Sequence, residues 1–265
     1  MLLLSSCSGS ESSSTPATTT TSPGTLQRSY PPQVALFGDS LAWEAQPYYD
    51  ALVNVTGETA LSYDSFGGTA ICDWLSQMRD VAAKERPKAV ELEFSGNALT
   101  DCMKGYAPPT PAYYQKYRDD TIAAIAIFAP TGAHVYLVGA PITRTQSESE
   151  PDWDRLNKQY AEIAASDPGE VTYVDAGAAV EGPGQTYTET LPCVAIEPCT
   201  GPAVASVPSN VVRAPDGAHF CPVLHGDDQG VIGGCPVYSS GALRYADAMF
   251  NAIGVPNLPP ADGPP

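Results

Sequence analysis

The chain has 265 residues, 43% of them hydrophobic, which suffices for a sizeable core and excludes a wholly disordered protein. Thirty Asp and Glu residues against 13 Lys and Arg give a formal net charge of −17. With no basic cluster anywhere, the charge excludes nucleic acid as a partner and excludes docking on anionic lipid through charge. No stretch reaches the ~18 apolar residues of a membrane span.

The first 24 residues, MLLLSSCSGSESSSTPATTTTSPG, contain Leu4-Ser5-Ser6-Cys7. An apolar residue, two small residues and a cysteine form the pattern at which bacterial lipoproteins are cleaved and lipidated. Cys7 is therefore a candidate lipid anchor, against the alternative of an accidental cysteine in a tail. The stretch ahead of it is too short for a signal peptide, lacking a basic segment and most of an apolar one. Residues 8 to 30 are rich in Ser, Thr, Pro and Gly and read as a disordered tether open to glycosylation. The folded domain is placed at 31–256, and 257–265 is read as a disordered tail.

From residue 33 onward, apolar runs alternate with amphipathic stretches. Strands are predicted at 33–37, 59–63, 89–94, 134–138 and 171–174, and helices at 41–53, 72–85, 111–128, 152–165 and 239–253. In the helix 111–128, Tyr114, Tyr117, Ile122, Ile125 and Phe128 recur near helical spacing and predict one buried face. Strands separated by helices of this length imply parallel pairing, hence a three-layer α/β/α sandwich of about five parallel strands. Ligands of such sheets bind beyond the carboxyl ends of the strands. Residues 176–215 do not fit the alternation. Rich in Gly, Pro, Thr and Val and without helical period, they are expected to be a long functional or stapled loop over or beside the cleft.

The first strand ends in VALFGDSLAW, residues 34–43. Ser40 thus sits at the carboxyl tip of a buried strand, where a helix begins. Taken alone the tripeptide favours a helix N-cap over a nucleophile held beside free helix amides, and the rest of the chain decides between them. Three further stretches fall at comparable places: SFGGTA at 65–70, FSGNAL at 94–99 and PDGAHF at 215–220. Each alone also fits a turn or cap.

Seven cysteines are present. Setting Cys7 aside leaves Cys72, Cys102, Cys193, Cys199, Cys221 and Cys235, an even six, as disulfides in an oxidising compartment require. Six cysteines allow 15 connectivities. Zinc is the competing reading, but no CxxC pair exists and the histidines lack the matching spacing. No metal site and no cofactor is expected.

Together, in this order and at these strand ends, the four stretches resemble the blocks of the SGNH, or GDSL-type, hydrolase family. The resemblance covers roughly residues 31–255. It implies a flavodoxin-like α/β/α fold and hydrolysis or transfer of acyl esters through an acyl-enzyme. On that resemblance Ser40 is the nucleophile, His219 its base and Asp216 the carboxylate that orients the imidazole. The Ser40 amide, an amide of Gly67 or Gly68, and the Asn97 side chain are the oxyanion donors, each worth about 3 kcal/mol of barrier. Gly67 is preferred because Thr69 completes a Gly-x-Ser/Thr pattern.

The third block departs from the family's Gly-x-Asn-Asp form, reading Ser95-Gly96-Asn97-Ala98, which leaves the local loop conformation open. The pairing expected is Cys72–Cys102, Cys193–Cys199 and Cys221–Cys235, on proximity and because the first bond would tie together the two turns that supply oxyanion donors. Asp39 is expected to orient its turn rather than to act chemically. Trp43, Trp74 and Trp153 are assigned to core or rim. His134 and His225 have no evident partner, and Gly226-Asp227-Asp228 reads as a turn, not a calcium site.

The expected protein is a secreted or lipid-anchored monomeric serine esterase of the bacterial envelope. It acts on a small-molecule or glycan acyl ester, with an O-acetyl carbohydrate as first choice and short-chain or lipid esters behind it. Membrane contact is expected only through lipid at Cys7. The rivals are an envelope acyltransferase using the same residues and a non-catalytic carbohydrate- or lipid-binding protein on the same fold.

Overall fold

The computed structural model describes residues 33–56, 60–149, 152, 154–223 and 234–254. Cys7, Trp153, His225 and the Gly226-Asp227-Asp228 stretch lie outside the described residues, as do the proposed tether and tail. A five-stranded parallel sheet forms the centre, from β1 (Gln33–Gly38), β2 (Ala60–Ser65), β3 (Ala89–Glu93), β4 (His134–Val138) and β5 (Val171–Val174). Its order is β2-β1-β3-β4-β5. All five strands are those anticipated, within one to two residues.

Side-chain alternation along the strands divides the core in two. Ala35, Phe37, Val90, Leu92, Val135 and Leu137 face one apolar cluster. It is completed by α2 (Ile71–Lys84), α3 (Pro111–Phe128) and α5 (Arg155–Ser166). Val34, Leu36, Ala89, Tyr136 and Val138 face the other, shared with α1 (Ser40–Thr56) and α6 (Ser240–Ile253). Helices therefore cover both faces.

The α3 face differs from its sequence expectation. Its buried residues are Tyr113, Tyr114, Tyr117, Asp120, Thr121, Ala124 and Phe128, whereas Ile122 is 48% exposed and Ile125 only partly buried. The stripe runs 113, 117, 121, 124, 128, and position 122 lies ~100° around the helix from it. Apolar character misled because tyrosines, a threonine and an ion-paired aspartate fill this interface. Lys116 Nζ meets Asp120 at 2.5 Å, which permits the acid's burial.

Residues 144–149 form a short helix, α4 (Arg144–Ser149), and residues 176–215 are less irregular than their composition suggests. A 3₁₀ turn spans Ala176–Val180, and β6 (Thr190–Pro192) pairs antiparallel with β7 (Ser209–Val211). The Cys193–Cys199 disulfide staples the intervening loop. Glu197 of that loop is bound by Arg244, Ser240 and Tyr238, so the loop is fastened to the start of α6.

The strand order reverses between β1 and β3, and both strands end at the same level, with Gly38 opposite Glu93. Here lies the crevice expected of such sheets. Gly38 is required by proximity: a Cβ there would overlap Ala42 Cβ and come within 3.0 Å of the Glu93 carbonyl. The chain can therefore turn from β1 into α1 only without a side chain at this position.

Candidate active site

Four segments converge at the crevice, and each is pinned by an identifiable set of bonds. The start of α1 is held by acids beneath it. Asp39 Oδ1 accepts from the Leu41 amide at 3.0 Å, Glu93 Oε2 from the Ala42 amide at 3.1 Å, and the Asp39 carbonyl from the Trp43 amide at 3.0 Å. These bonds consume the first-turn amides beyond that of Ser40 itself. Glu93 is fully buried, and burial, followed by the charge of Asp39, raises its carboxyl well above the usual carboxylate range. Its other oxygen accepts from the Tyr245 hydroxyl at 3.0 Å.

Residues 95–97 are held from both sides. Asp39 Oδ2 accepts from the Ser95 amide (2.7 Å), the Ser95 hydroxyl (2.6 Å) and Asn97 Nδ2 (2.8 Å). On the opposite side three tyrosine hydroxyls donate to backbone carbonyls. Tyr113 reaches Gly96 O at 2.6 Å, Tyr117 reaches Asn97 O at 2.7 Å and Tyr160 reaches Phe94 O at 3.1 Å. Gly96 has φ +106°, and a Cβ there would also strike the Tyr113 hydroxyl. The departure from Gly-x-Asn-Asp is thereby resolved: Ser95 supplies a hydroxyl to Asp39, and Asn97 is aimed by the same carboxylate. Asp39 does orient the turn, as expected, and it orients Asn97 as well.

The double-glycine turn follows β2. Gly67 lies beside the nucleophile candidate, since a Cβ there would sit 3.7 Å from Ser40 Cβ, while Gly68, at φ +79°, faces Leu99. Trp74 Nε1 donates to Thr69 Oγ1 at 3.0 Å and packs against the core. The Cys72–Cys102 disulfide joins the start of α2 to the 3₁₀ turn at Asp101–Met103. Asp73 reinforces that join, accepting from the Thr100 hydroxyl at 2.8 Å. All three expected disulfides are present.

The fourth segment, 214–221, brings Asp216 and His219 to Ser40. The Ser40 hydroxyl lies 2.8 Å from His219 Nε2, and His219 Nδ1 lies 2.7 Å from Asp216 Oδ2. Asp216 Oδ1 also accepts from the Ala218 and His219 amides, so one side chain shapes the loop and meets the imidazole. Arg213, 2% exposed, donates to Ile142 O at 2.7 Å and Ala218 O at 3.2 Å. Arg144 donates to Pro215 O at 3.3 Å and bonds Tyr187 and Glu189 of the 176–215 segment. That segment therefore braces the histidine loop, yet it contributes no residue to the cavity lining.

Burial pulls the His219 imidazole down, but the bond to Asp216 and the charges of Glu44, Asp216 and Asp39 outweigh it and leave the group above its ordinary 6.5. Burial raises Asp216, but the Ala218 amide and His219 prevail and hold it below the usual carboxylate value. A serine hydroxyl donating to an imidazole whose far nitrogen meets a carboxylate can lose its proton as it attacks a carbonyl.

The cavity at this site measures about 330 Å³. Ser40, Asn97 and His219 line it together with Tyr113, Tyr114, Pro109, Thr143, Gln146 and Asn157. Apart from His219 and the tyrosines, no lining side chain is ionisable. Two described clusters bring metal-ligand atoms together, Glu44-Cys221-Cys235 and Cys72-Asp73-Cys102. Each consists of one carboxylate and a disulfide, so neither offers a thiolate. His134, the remaining described histidine, bonds Thr172 Oγ1 at 2.8 Å within the sheet.

Sequence reasoning missed Ser95, Glu44, Glu93, Arg213 and the three tyrosines as supports of the site. No local pattern distinguishes them from ordinary helix or strand residues.

Comparison with solved structures supports the fold. A lipase/acylhydrolase from Enterococcus faecalis aligns at TM-score 0.55 and 16% identity, covering 87% of this chain and 98% of that one. Lesser likeness is found to TesA, at TM-score 0.45 and 18% identity over 57% and 83% of the two chains. A catalytic mutant of Axe2, an acetylxylan esterase from Geobacillus stearothermophilus, aligns at TM-score 0.44 and 14% identity over 58% and 80%. No curated protein matches the sequence. The family model described as "Protein of unknown function (DUF459)" matches residues 33–223, so that the chain, with its Ser40 and Asp39 turn, Asn97 loop and His219 loop all inside the matched span, belongs to the DUF459 family.

Proposed function

We propose that this protein is a serine esterase of the SGNH type that removes an acyl group from a neutral, hydroxylated alcohol, with an O-acetyl carbohydrate as the favoured substrate. The observation that carries the reading is the unbroken chain of short contacts from Ser40 Oγ through His219 to Asp216. Ser40 Oγ attacks the ester carbonyl, forming the O–C bond as its proton passes to His219 Nε2. The carbonyl π electrons become the oxyanion, received by the amides of Ser40 and Gly67 and by Asn97 Nδ2. Collapse of the tetrahedral intermediate breaks the bond to the alcohol oxygen, which takes the proton from His219. Water, deprotonated by the same imidazole, then releases the acid and restores Ser40.

The cavity supports a neutral polar substrate. Its lining mixes tyrosine rings and prolines with hydroxyl and amide side chains, a composition suited to a sugar's apolar faces and hydroxyls. Three disulfides among the described residues favour an extracytoplasmic location. Among the described residues no helix is long and apolar enough to cross a membrane.

The test is hydrolysis of p-nitrophenyl acetate, butyrate and octanoate, and acetate release from an O-acetylated oligosaccharide, by the full chain and by Ser40→Ala. The reading predicts turnover that falls from acetate to octanoate, extends to the oligosaccharide, and drops by about 10⁴-fold or more in the variant. Turnover equal in both proteins, or preference for octanoate, would refute it.

A further inference from the structure

Glu44 lies four residues after Ser40 on α1, one turn along the same helix face. It is 3% exposed although it belongs to the residue types least often buried. Its Oε2 accepts from the Phe220 amide at 2.6 Å, across a sequence separation of 176 residues, and its carboxylate also takes a bond from the Cys221 amide. These are the two amides that follow His219. On the other side of the imidazole, the His219 amide itself donates to Asp216 Oδ1 at 3.1 Å. The backbone of the histidine is therefore fixed before and after the imidazole, and the second fixing point stands on the nucleophile's own helix.

We infer that Glu44 is a positioning residue for His219: it locks the histidine loop to the helix bearing Ser40 and sets a third carboxylate, beside Asp216 and Asp39, within electrostatic reach of the imidazole. The inference rests on the proposed esterase reading and deepens it. A mere staple between loop and helix needs no charge, since a neutral acceptor satisfies two amides without the cost of burying a carboxylate. The charge gains a function when the imidazole becomes cationic, as it does while holding the Ser40 proton. Burial pushes the Glu44 carboxyl up to about 6, with the His219 charge and the Phe220 amide opposing that rise and the Asp216 charge adding to it. At pH 7 and above Glu44 is mostly ionised. The groups acting on His219 are Asp216 from its own loop, Asp39 from the end of β1 and Glu44 from α1. Arg213, from the strand side, acts on Asp216. The adjacent Cys221–Cys235 pair is a disulfide and does not titrate.

The sequence could not expose this role. A glutamate in the second turn of an amphipathic helix reads as a solvated residue, and its partner amides lie near the other end of the chain.

The experiment compares wild-type protein with Glu44→Gln and Glu44→Asp. It measures kcat and KM for p-nitrophenyl acetate from pH 5 to 9, and the NMR titration of His219 in a Ser40→Ala background. In Glu44→Gln the neutral side chain should lower kcat by about tenfold with KM within about twofold. The His219 titration should move down by roughly half a unit as one of its three facing carboxylates is lost. Glu44→Asp keeps the charge on a shorter arm, so its kcat should fall while the titration stays near wild type. An unmoved titration with wild-type kcat in Glu44→Gln overturns the inference. So does a Glu44→Asp titration displaced from wild type by roughly half a unit or more, a readout that decides the matter should Glu44→Gln fail to fold. Ser40-independent turnover would instead defeat the esterase reading, while the His219 titration would still report on Glu44.

Discussion

The two walls that meet at Ser40 are built by different physics. The 95–97 wall hangs from three tyrosine hydroxyls that donate to backbone carbonyls and from one buried aspartate that accepts its other three bonds. The 214–221 wall is gripped by Arg213, Arg144, Glu44 and its own Asp216. On the proposed mechanism the first holds a donor still while charge appears on the substrate, and the second holds a group that itself changes charge. Fixed bonds suit the former because they need no reorganisation, and facing carboxylates suit the latter because they stabilise an imidazolium as it forms.

The contrast can be broken most forcefully on the 95–97 wall. Asn97→Ala removes one oxyanion donor and should lower kcat by about 10²–10³-fold with little change in KM, equally across the pH range. Steady-state profiles of variant and wild type should run parallel, and a variant deficit that varies with pH would contradict the division between the walls. The support beneath this wall can be cut covalently. Replacing Cys72 and Cys102 together by serine frees a loop spanning a sequence separation of 30, and should cost about 3–4 kcal/mol in denaturant unfolding. Tyr117→Phe takes a single hydroxyl from the Asn97 carbonyl and should cost about 1 kcal/mol of stability, with activity retained within about tenfold.

The smallest effects, and those that sharpen the contrast, belong to the charged wall. Activity needs neutral His219, so kcat/KM should fall as pH drops through an apparent pKa above 6.5. The stability linkage has the opposite direction for this group. A raised imidazole pKa contributes stability that is full below 6.5 and lost as pH rises through the folded value. Asp216, held low, contributes stability that is present above 3.8 and lost as pH falls through its folded value. Thermal melts from pH 3 to 9 should show both slopes, and Asp216→Asn should make the acidic one shallower, Glu197, raised by burial but held low by Arg244, supplying the remainder.

The candidate site residues were legible in the sequence because each stands inside a short local pattern, Ser40 and Asn97 just beyond strand ends and Asp216 and His219 in one loop. Ser40, Asn97, Asp216 and His219 could each be found that way, and the five strands by their apolar runs. What was not legible is long-range. Asp39 reaches Asn97 across 58 residues, Glu44 reaches Phe220 across 176, and Tyr245 reaches Glu93 across 152. The apolar β3 run hid two fully buried glutamates, Glu91 and Glu93, whose partner tyrosines stand on α1 and α6. The α3 face was read in part: Tyr114, Tyr117 and Phe128 are buried as expected, whereas Ile122 is exposed and Tyr113, Asp120, Thr121 and Ala124 complete the stripe. The β6–β7 pair escaped notice because strands of three residues carry no measurable alternation.

The central claim is that Ser40 becomes a nucleophile by passing its proton to His219. Intact-mass spectrometry of the oxidised full chain treated with a small alkyl fluorophosphonate tests it most directly. A single covalent adduct per chain is expected, mapped to the Ser40 peptide, absent in Ser40→Ala and formed at least about 10²-fold more slowly in His219→Ala. An unmodified folded protein, or an adduct that survives in Ser40→Ala, would contradict it.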